Sequence, residues 1–214
     1  VCHLSPRKQF SQSTHHPFLT AAQKTFEEHT EAGLKSLTLE MLDTKYPPTT
    51  WTQVYTDGSA ENAVRNGGGG VLIKFPDGSR ISRSVATGLQ STNFRAEACA
   101  LLLAVKTLNQ TDNLPDHTVF LTDCRALLQS IQTREGEQVL QAIRQELQSL
   151  SSKTSLVLQW IPSHCGIMGN EEADRLSKAG SKLYQTAHPV SYREAKTILR
   201  SHSRTTWKRR LQIE

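Results

Sequence analysis

The order of strand and helix patterns after residue 50 restricts this chain to few architectures. Three strand-like segments come first, followed by a helix, a short apolar strand, two helices, a last strand and a final helix. The last two strands each follow helices, and helical crossovers are what parallel strands require. The order therefore predicts an α/β fold with a mixed five-stranded sheet and helices on both faces.

Each element is predicted from its own residue pattern. Residues 52–56 alternate like a strand, and the glycine run at 67–70 is interpreted as a tight turn before the strand VLIKF. The FPDGS sequence at 75–79 then predicts a turn into the strand ISRSVA. The remaining predictions are helices over 92–108, 125–132 and 137–150, strands over 117–122 and 155–161, and a final helix that Asn170 caps.

Four acidic residues stand where predicted strands end or on the helices beside them. They are Asp57 in VYTDGSA, Glu97 in STNFRAEA, Asp123 in VFLTDCRAL and Asp174 in SHCGIMGNEEADRLS. Strand ends in such a sheet converge on one crevice, so the four carboxylates are expected to meet there. Grouped carboxylates repel unless cations neutralise them, and all-oxygen ligation favours magnesium or manganese over zinc. The pattern predicts a metal site able to hydrolyse phosphodiesters.

The order, intervals and flanks of these motifs resemble the ribonuclease H family, and more closely the ribonuclease H domain of non-LTR retrotransposon reverse transcriptases. The resemblance runs from about residue 51 to 181. It implies the ribonuclease H-like fold and an endonuclease that cuts the RNA strand of RNA–DNA hybrids, leaving a 3′-hydroxyl and a 5′-phosphate. It also implies two Mg²⁺ ions as cofactors, for which Mn²⁺ can substitute.

The resemblance also implies roles for single positions. The metal-binding carboxylates would be Asp57, Glu97, Asp123 and Asp174. His164, in a Pro-Ser-His context, matches a mobile histidine that helps protons move or product leave. Positions that approach the hybrid's backbone and ribose hydroxyls are matched by Gly58, Ser59, Thr92 and Asn93. Arg125 stands where a neutral amide is common and is expected to contact a phosphate. Asn170 and Glu171 match the last motif and would support the metal ligands from outside.

One interval departs from the family. The chain between Asp123 and residue 137 is too short for the basic protrusion with which some cellular ribonucleases H grip the hybrid. Substrate grip is therefore expected from a basic tail, or from reverse-transcriptase sequence outside this chain.

Charge and composition divide the chain into three parts. The chain has a net charge of +5, and its excess of basic residues lies at the C-terminal end. Residues 182–214 hold 8 basic and 2 acidic side chains. This tail, with a basic helix, either lies on a phosphate backbone or is a solvated helix. Residues 1–50 are interpreted as a separate segment, with a polar helix at 20–35, a short helix at 36–41 and a linker at 44–51. Residues 51–181 form the ribonuclease H domain.

The expected partners are an RNA–DNA hybrid and the reverse transcriptase domain of the same polyprotein; the oligomeric state is not predicted. The longest apolar run, 98–105, is too short for a bilayer, and no signal peptide pattern opens the chain. Four cysteines without a CxxC pair indicate a reducing, intracellular compartment, cytoplasmic or nuclear. The alternative function is a nucleic-acid-binding or assembly module that keeps the fold without cutting. An integrase-like transposase would need a different acidic set.

Overall fold

A computed structural model describes residues 2–4, 30–133 and 136–211. Its strands are β1 (Cys2–Leu4), β2 (Trp51–Glu61), β3 (Arg65–Lys74), β4 (Arg80–Gly88), β5 (His117–Thr122) and β6 (Ser155–Trp160). Its helices are α1 (Glu31–Lys45), α2 (Asn93–Asn109), α3 (Arg125–Gln132), α4 (Gln138–Leu150), α5 (Met168–Ser181) and α6 (Tyr192–Leu211). None of the helices in these described ranges is long and apolar enough to cross a membrane.

The strands form one mixed sheet in the order β1-β6-β5-β2-β3-β4. Strands β2, β3 and β4 are an antiparallel meander, whereas β5 runs parallel to both β2 and β6. The predicted fold class is confirmed, since all five predicted strands are present in this mixed arrangement. The sheet gains a sixth strand, β1, which pairs antiparallel with β6 and was not predicted.

Successive residues of the strands point to opposite faces of the sheet and pack into two hydrophobic cores, one on each face. On one face, Val54 and Phe120 pack with the apolar sides of α2 and α4. On the other, Tyr55 and Leu121 pack with α5 and α1. The period-two alternation of the strands therefore gives a buried surface to both helical layers.

The glycine run at 67–70 lies inside strand β3, so its interpretation as a tight turn was wrong. A Cβ at Gly70 would lie 2.1 Å from the backbone oxygen of Ala173, and one at Gly68 would lie 2.1 Å from that of Ser177. Helix α5 thus rests directly on the strand backbone. Glycine is present because any side chain would push the helix away from the sheet.

The first described helix also differs from its prediction. Instead of two helices at 20–35 and 36–41, a single helix runs over Glu31–Lys45, with the hydroxyl of Thr30 accepting from Gly33 N at its start; the part of the prediction before residue 30 lies outside the described residues. Leu42 and Tyr46 are buried in the second core. This helix therefore packs on the sheet, although the segment was interpreted as separate.

The loop after α5 is tied to the edge of the meander. The side chain of Gln185 accepts from Gly88 N at 2.9 Å and donates to the carbonyl of Gly67 at 3.0 Å. Leu89 N donates to the carbonyl of Thr186 at 3.1 Å. Helix α6 therefore starts from a fixed point on the domain.

The close contact between β3 and α5 makes a testable prediction. Replacing Gly70 by alanine should reduce the free energy of unfolding by about 3 kcal/mol or more, because the new methyl group meets helix backbone rather than a movable side chain. Gly78→Ala is the matched control. A Cβ at Gly78 meets nothing within 4 Å, so only its φ of +85° opposes alanine, at about 1 kcal/mol. Equal losses in urea unfolding of the two variants would contradict this packing.

Candidate active site

Three carboxylates from different elements meet near the carboxyl end of β5. They belong to Asp57 on β2, Glu97 on α2 and Asp123 directly after β5, and ligand oxygens of the three all lie within 4.8 Å of one another. Asp57 and Glu97 are only 8% and 7% exposed. Three of the four predicted metal ligands are therefore gathered in a largely buried cluster.

The sequence analysis placed Asp57 at the end of its strand. In the structure it lies inside β2. The strand continues to Glu61, but its parallel pairing with β5 stops at Tyr55. Asp57 is thus two residues beyond the last β5 partner, where the sheet opens into a crevice. Asp57 therefore lies at the expected edge of the sheet, because the end of the pairing with β5 and not the end of strand β2 creates the crevice.

Glu97 reaches the cluster because α2 passes unusually close to β2. A Cβ on Gly58 would lie 2.1 Å from the backbone nitrogen of Glu97, so only glycine fits there. The backbone N–H of Gly58 donates a hydrogen bond to the Glu97 carboxylate and lowers its pKa somewhat. Gly58, predicted to lie near the substrate backbone, thus positions a carboxylate in this structure.

Asp57 is held from α5 by Ser177, a residue that the sequence analysis did not single out. The hydroxyl of Ser177 donates to Asp57 Oδ2 at 2.6 Å and contacts the carbonyl oxygen of Asp174 at 2.9 Å. Ser177 is fully buried. Its spacing of three from Asp174 places it on the same helix face, which was the available signal.

Asp123 is supported by two neighbours. The side chain of Asn170 donates a hydrogen bond to it, which lowers its pKa, and the indole Nε1 of Trp160 donates to its carbonyl at 2.9 Å. Asn170 does not cap α5 as predicted, because the helix begins earlier, with Ile167 as the N-cap residue. Asn170 sits within the first turn instead, with its amide turned to the site.

Asp174 lies beside the cluster rather than in it. Its Oδ2 forms an ion pair with Lys178 Nζ at 2.6 Å, one helical turn away. Its charge nevertheless raises the pKa values of Asp57 and Asp123, so it belongs to the same electrostatic environment. The structure thus brings the fourth predicted ligand close without joining it to the other three.

His164 occupies the loop between β6 and α5, as expected. It is exposed, with a φ of 50° in the left-handed region. A positive charge on His164 lowers the pKa values of Asp57 and Asp123, which places the imidazole near both. Glu171 is exposed at the start of α5.

The other predicted substrate-binding residues lie within five positions of a cluster carboxylate in the chain. Thr92 is the N-cap of α2, where its Oγ1 accepts from Arg95 N at 3.2 Å, and Asn93 is exposed at the first helical position. The hydroxyl of Ser59 is buried and has no hydrogen-bond partner among the described residues. Arg125 rests on the indole ring of Trp160 at 4.5 Å, which holds a cation next to Asp123.

The cluster has the properties of a cation site. Burial, together with a smaller contribution from the charge of Asp123, raises the pKa of Asp57 to about 6, and burial likewise raises the pKa of Asp123. Burial and the two neighbouring aspartates raise the pKa of Glu97 well above its ordinary value. Glu97 Oε2 is buried without a hydrogen-bond partner among the described residues. An unpaired carboxylate oxygen in an all-oxygen group is what a hard divalent cation satisfies, so these residues fit such an ion.

Fold and site together define an α/β protein with an acidic crevice whose carboxylates fit a divalent cation. The chain matches the RNase H family over residues 49–182, more than half of its length, and therefore belongs to that family. Family membership makes it an enzyme of the ribonuclease H class, as the motifs predicted.

Solved structures with a similar fold include the N-terminal RNase H domain of Rv2228c from Mycobacterium tuberculosis. It is 19% identical, with 62% of this chain and 94% of that one covered at a TM-score of 0.50. RNase H1 from the archaeon Halobacterium salinarum is 18% identical over 61% of this chain and 96% of that one, with a TM-score of 0.49. LC11-RNase H1 in complex with RNA/DNA hybrid is 22% identical over 60% and 97%, with a TM-score of 0.47. The likeness to the Mycobacterium domain shows a shared fold.

The raised pKa of Asp57 predicts how stability depends on pH when metal is withheld by a chelator. The folded protein holds this proton up to about pH 6, whereas the unfolded chain releases it near 3.8. Stability from this group is therefore complete below pH 3.8 and is lost as the pH rises through 6. Relative to Asp57→Asn, the wild type should lose up to about 3 kcal/mol between these limits.

Urea unfolding at pH 4.5 and 7.5 measures about 2 kcal/mol of this loss, because the unfolded chain already begins to release the proton below pH 4.5. Asparagine can still accept the Ser177 hydrogen bond, so the substitution removes the charge and little else. Asp112→Asn, an exposed position remote from the cluster, is the control and should follow the wild type. If the free energy of unfolding changed with pH equally in the wild type and in Asp57→Asn, the pKa of Asp57 would not be raised by its burial.

Proposed function

We propose that this protein hydrolyses the RNA strand of RNA–DNA hybrids with the help of two Mg²⁺ ions, for which Mn²⁺ substitutes. The observation that supports this most is the cluster of Asp57, Glu97 and Asp123, whose buried oxygens lie within 4.8 Å of one another. Burial of like charges at this spacing is costly without a cation. Membership of the RNase H family supports an RNA–DNA hybrid as the substrate.

Asp57, Glu97 and Asp123 would hold the ions, with Asp174 completing the set. When bound, the ions supply an activated water and stabilise the charge on the leaving oxygen. Ser177 and Asn170 keep Asp57 and Asp123 in place through their hydrogen bonds. Hydrolysis would leave a 3′-hydroxyl and a 5′-phosphate.

The surrounding side chains suit recognition of a hybrid. Thr92 and Asn93, at the N-terminus of α2, lie where ribose hydroxyls and backbone would approach, together with Ser59. Arg125 presents a guanidinium beside Asp123 and would contact a phosphate. The exposed imidazole of His164 would move protons or help product leave.

The biological setting that we propose is the polyprotein of a non-LTR retrotransposon, inside the cell, with a reverse transcriptase domain as partner. This rests on the flanks of the four acidic motifs, which resemble those of such elements. In that setting the enzyme would remove RNA after it has been copied into DNA.

A second candidate is a nucleic-acid-binding module that keeps the fold without cutting. Retention of buried carboxylates at an energetic cost speaks against it, because a site that no longer binds metal gains stability by losing them. The two functions differ in one measurable property, turnover.

The substrate prediction is tested by incubating the full chain with labelled RNA–DNA hybrid, duplex DNA and duplex RNA. We expect cleavage of the hybrid alone, on its RNA strand, with Mg²⁺ or Mn²⁺ and none with chelator. Equal cutting of duplex DNA, or cutting with chelator present, would refute the proposal. Hybrid binding without turnover would favour the non-cutting module.

The ligand assignment is tested by Asp123→Asn. The amide keeps the shape but removes an anionic ligand, so we expect turnover to fall more than about 100-fold, beyond what loss of an outer hydrogen bond costs. Thermal stability in chelator should be kept or raised, because repulsion within the cluster is relieved. Asp116→Asn, just before β5 and thus at the other end of the same strand, is the control and should cut like the wild type. Normal turnover by Asp123→Asn would remove this residue from the site.

A further inference from the structure

Helix α6 displays a row of basic side chains towards solvent. Arg193, Lys196, Arg200 and Arg204 are all exposed. Their spacing of three and four residues places them on one face of the helix. The 20 residues of α6 make a rod of about 30 Å.

A buried acidic residue fixes how this helix is turned. Glu194 is only 3% exposed, and its Oε1 pairs with Arg95 Nη1 of α2 at 3.4 Å. Its Oε2 accepts from Ser191 N at 2.7 Å, while Ser191 Oγ accepts from Glu194 N at 3.2 Å. This reciprocal pair is a capping box, so the first turn of α6 is both closed and anchored by the same carboxylate.

The anchor points the basic row away from the domain. At 3.6 residues per turn, Lys196, Arg200 and Arg204 lie about 200° to 280° around the helix from Glu194. Trp207 falls at about 220° and is 64% exposed, within the same row. Because Glu194 faces the core, the row faces solvent.

The helix starts against α2, the helix that carries Glu97. Arg95, the ion-pair partner of Glu194, is in the first turn of α2, two residues before Glu97 and close to Thr92 and Asn93. The hydroxyl of Ser191 also donates to Glu137 Oε1 at 2.7 Å, at the start of α4. The start of α6 therefore contacts the starts of both α2 and α4.

We propose that α6 is a nucleic-acid-binding arm, which grips the phosphate backbone of the bound substrate outside the cut site, with Trp207 lying against a ribose or an unpaired base. This inference rests on the proposed function, since it takes the substrate to be a nucleic acid. Exposed cations in a row match the regular spacing of phosphates, and the interaction needs no particular base sequence.

A nucleic acid fits this surface better than an anionic membrane does. A helix that lies in a membrane interface buries a broad apolar face opposite its charges. On α6 the side opposite the basic row carries Glu194, whose carboxylate is buried and pairs with Arg95 of the domain. Among the described side chains of the helix, the exposed large apolar residues are Tyr192, Leu199 and Trp207, too few for such a face.

The test uses the full chain with Lys196→Gln, Arg200→Gln and Arg204→Gln combined. We expect the salt dependence of hybrid binding to become flatter. The slope of log affinity against log salt should decrease in magnitude by about 2 to 3, since each lost phosphate contact contributes about 0.7 to 0.9. Turnover at saturating hybrid should be unchanged, because none of the three residues lies in the carboxylate site. Trp207→Ala should weaken binding about fivefold or more with the salt slope unchanged.

A matched triple variant, Lys45→Gln, Arg80→Gln and Lys106→Gln, removes the same charge from exposed positions distant from α6 and should bind like the wild type. An unchanged affinity and salt slope in the α6 triple variant would overturn the proposal. So would tight binding of the wild type to phosphatidylserine vesicles that the α6 substitutions abolish while hybrid binding persists. The wild type could fail to cut the hybrid while the α6 triple variant still showed a flatter salt dependence of hybrid binding. That result would refute the proposed hydrolysis but support α6 as a nucleic-acid-binding arm.

Discussion

The close approach of two helix backbones to the sheet is the constraint on which the site depends. Gly58 admits α2 against β2, and Gly68 and Gly70 admit α5 against β3, each at a distance that a Cβ would forbid. Aspartate and glutamate side chains are short. The carboxylates of Asp57 and Glu97 meet only because these backbones are almost in contact. A larger residue at any of the three glycines would widen the crevice and separate the groups.

This packing has an electrostatic cost, which explains the composition of the cluster. Burial raises the pKa values of Asp57, Glu97 and Asp123, so each is harder to ionise than in water. Hydrogen bonds from Ser177 to Asp57, from Asn170 to Asp123 and from Gly58 to Glu97 offset part of this cost. One oxygen of Glu97 has no such partner among the described residues. The site is therefore held in shape by the protein but left electrostatically incomplete, which favours binding of a hard cation.

Local pattern was enough to predict much of this molecule. The helix Arg125–Gln132 and the strand His117–Thr122 have the predicted bounds, because apolar spacing alone determines them. Glycine carries no such pattern, so the strand character of 67–70 depends on a helix more than 100 residues later in the chain and could not be predicted locally. Strand β1 was also missed because it depends on a distant part of the chain: its partner β6 lies some 150 residues away. The roles of Ser177 and Asn170 depend on the rotation of α5 against the sheet, which only tertiary packing sets.

Two helices outside the matched family region flank the crevice. On one side, Leu42 and Tyr46 of α1 share a core with Cys165 of the loop that carries His164, and Lys35 lies against Gly166. On the other, Glu194 of α6 holds the first turn of α2 through Arg95. Both contacts reach segments that position proposed functional residues, His164 in one case and the start of α2 in the other. The helices that precede and follow the matched region thus contact the loop that carries His164 and the first turn of the helix that carries Glu97.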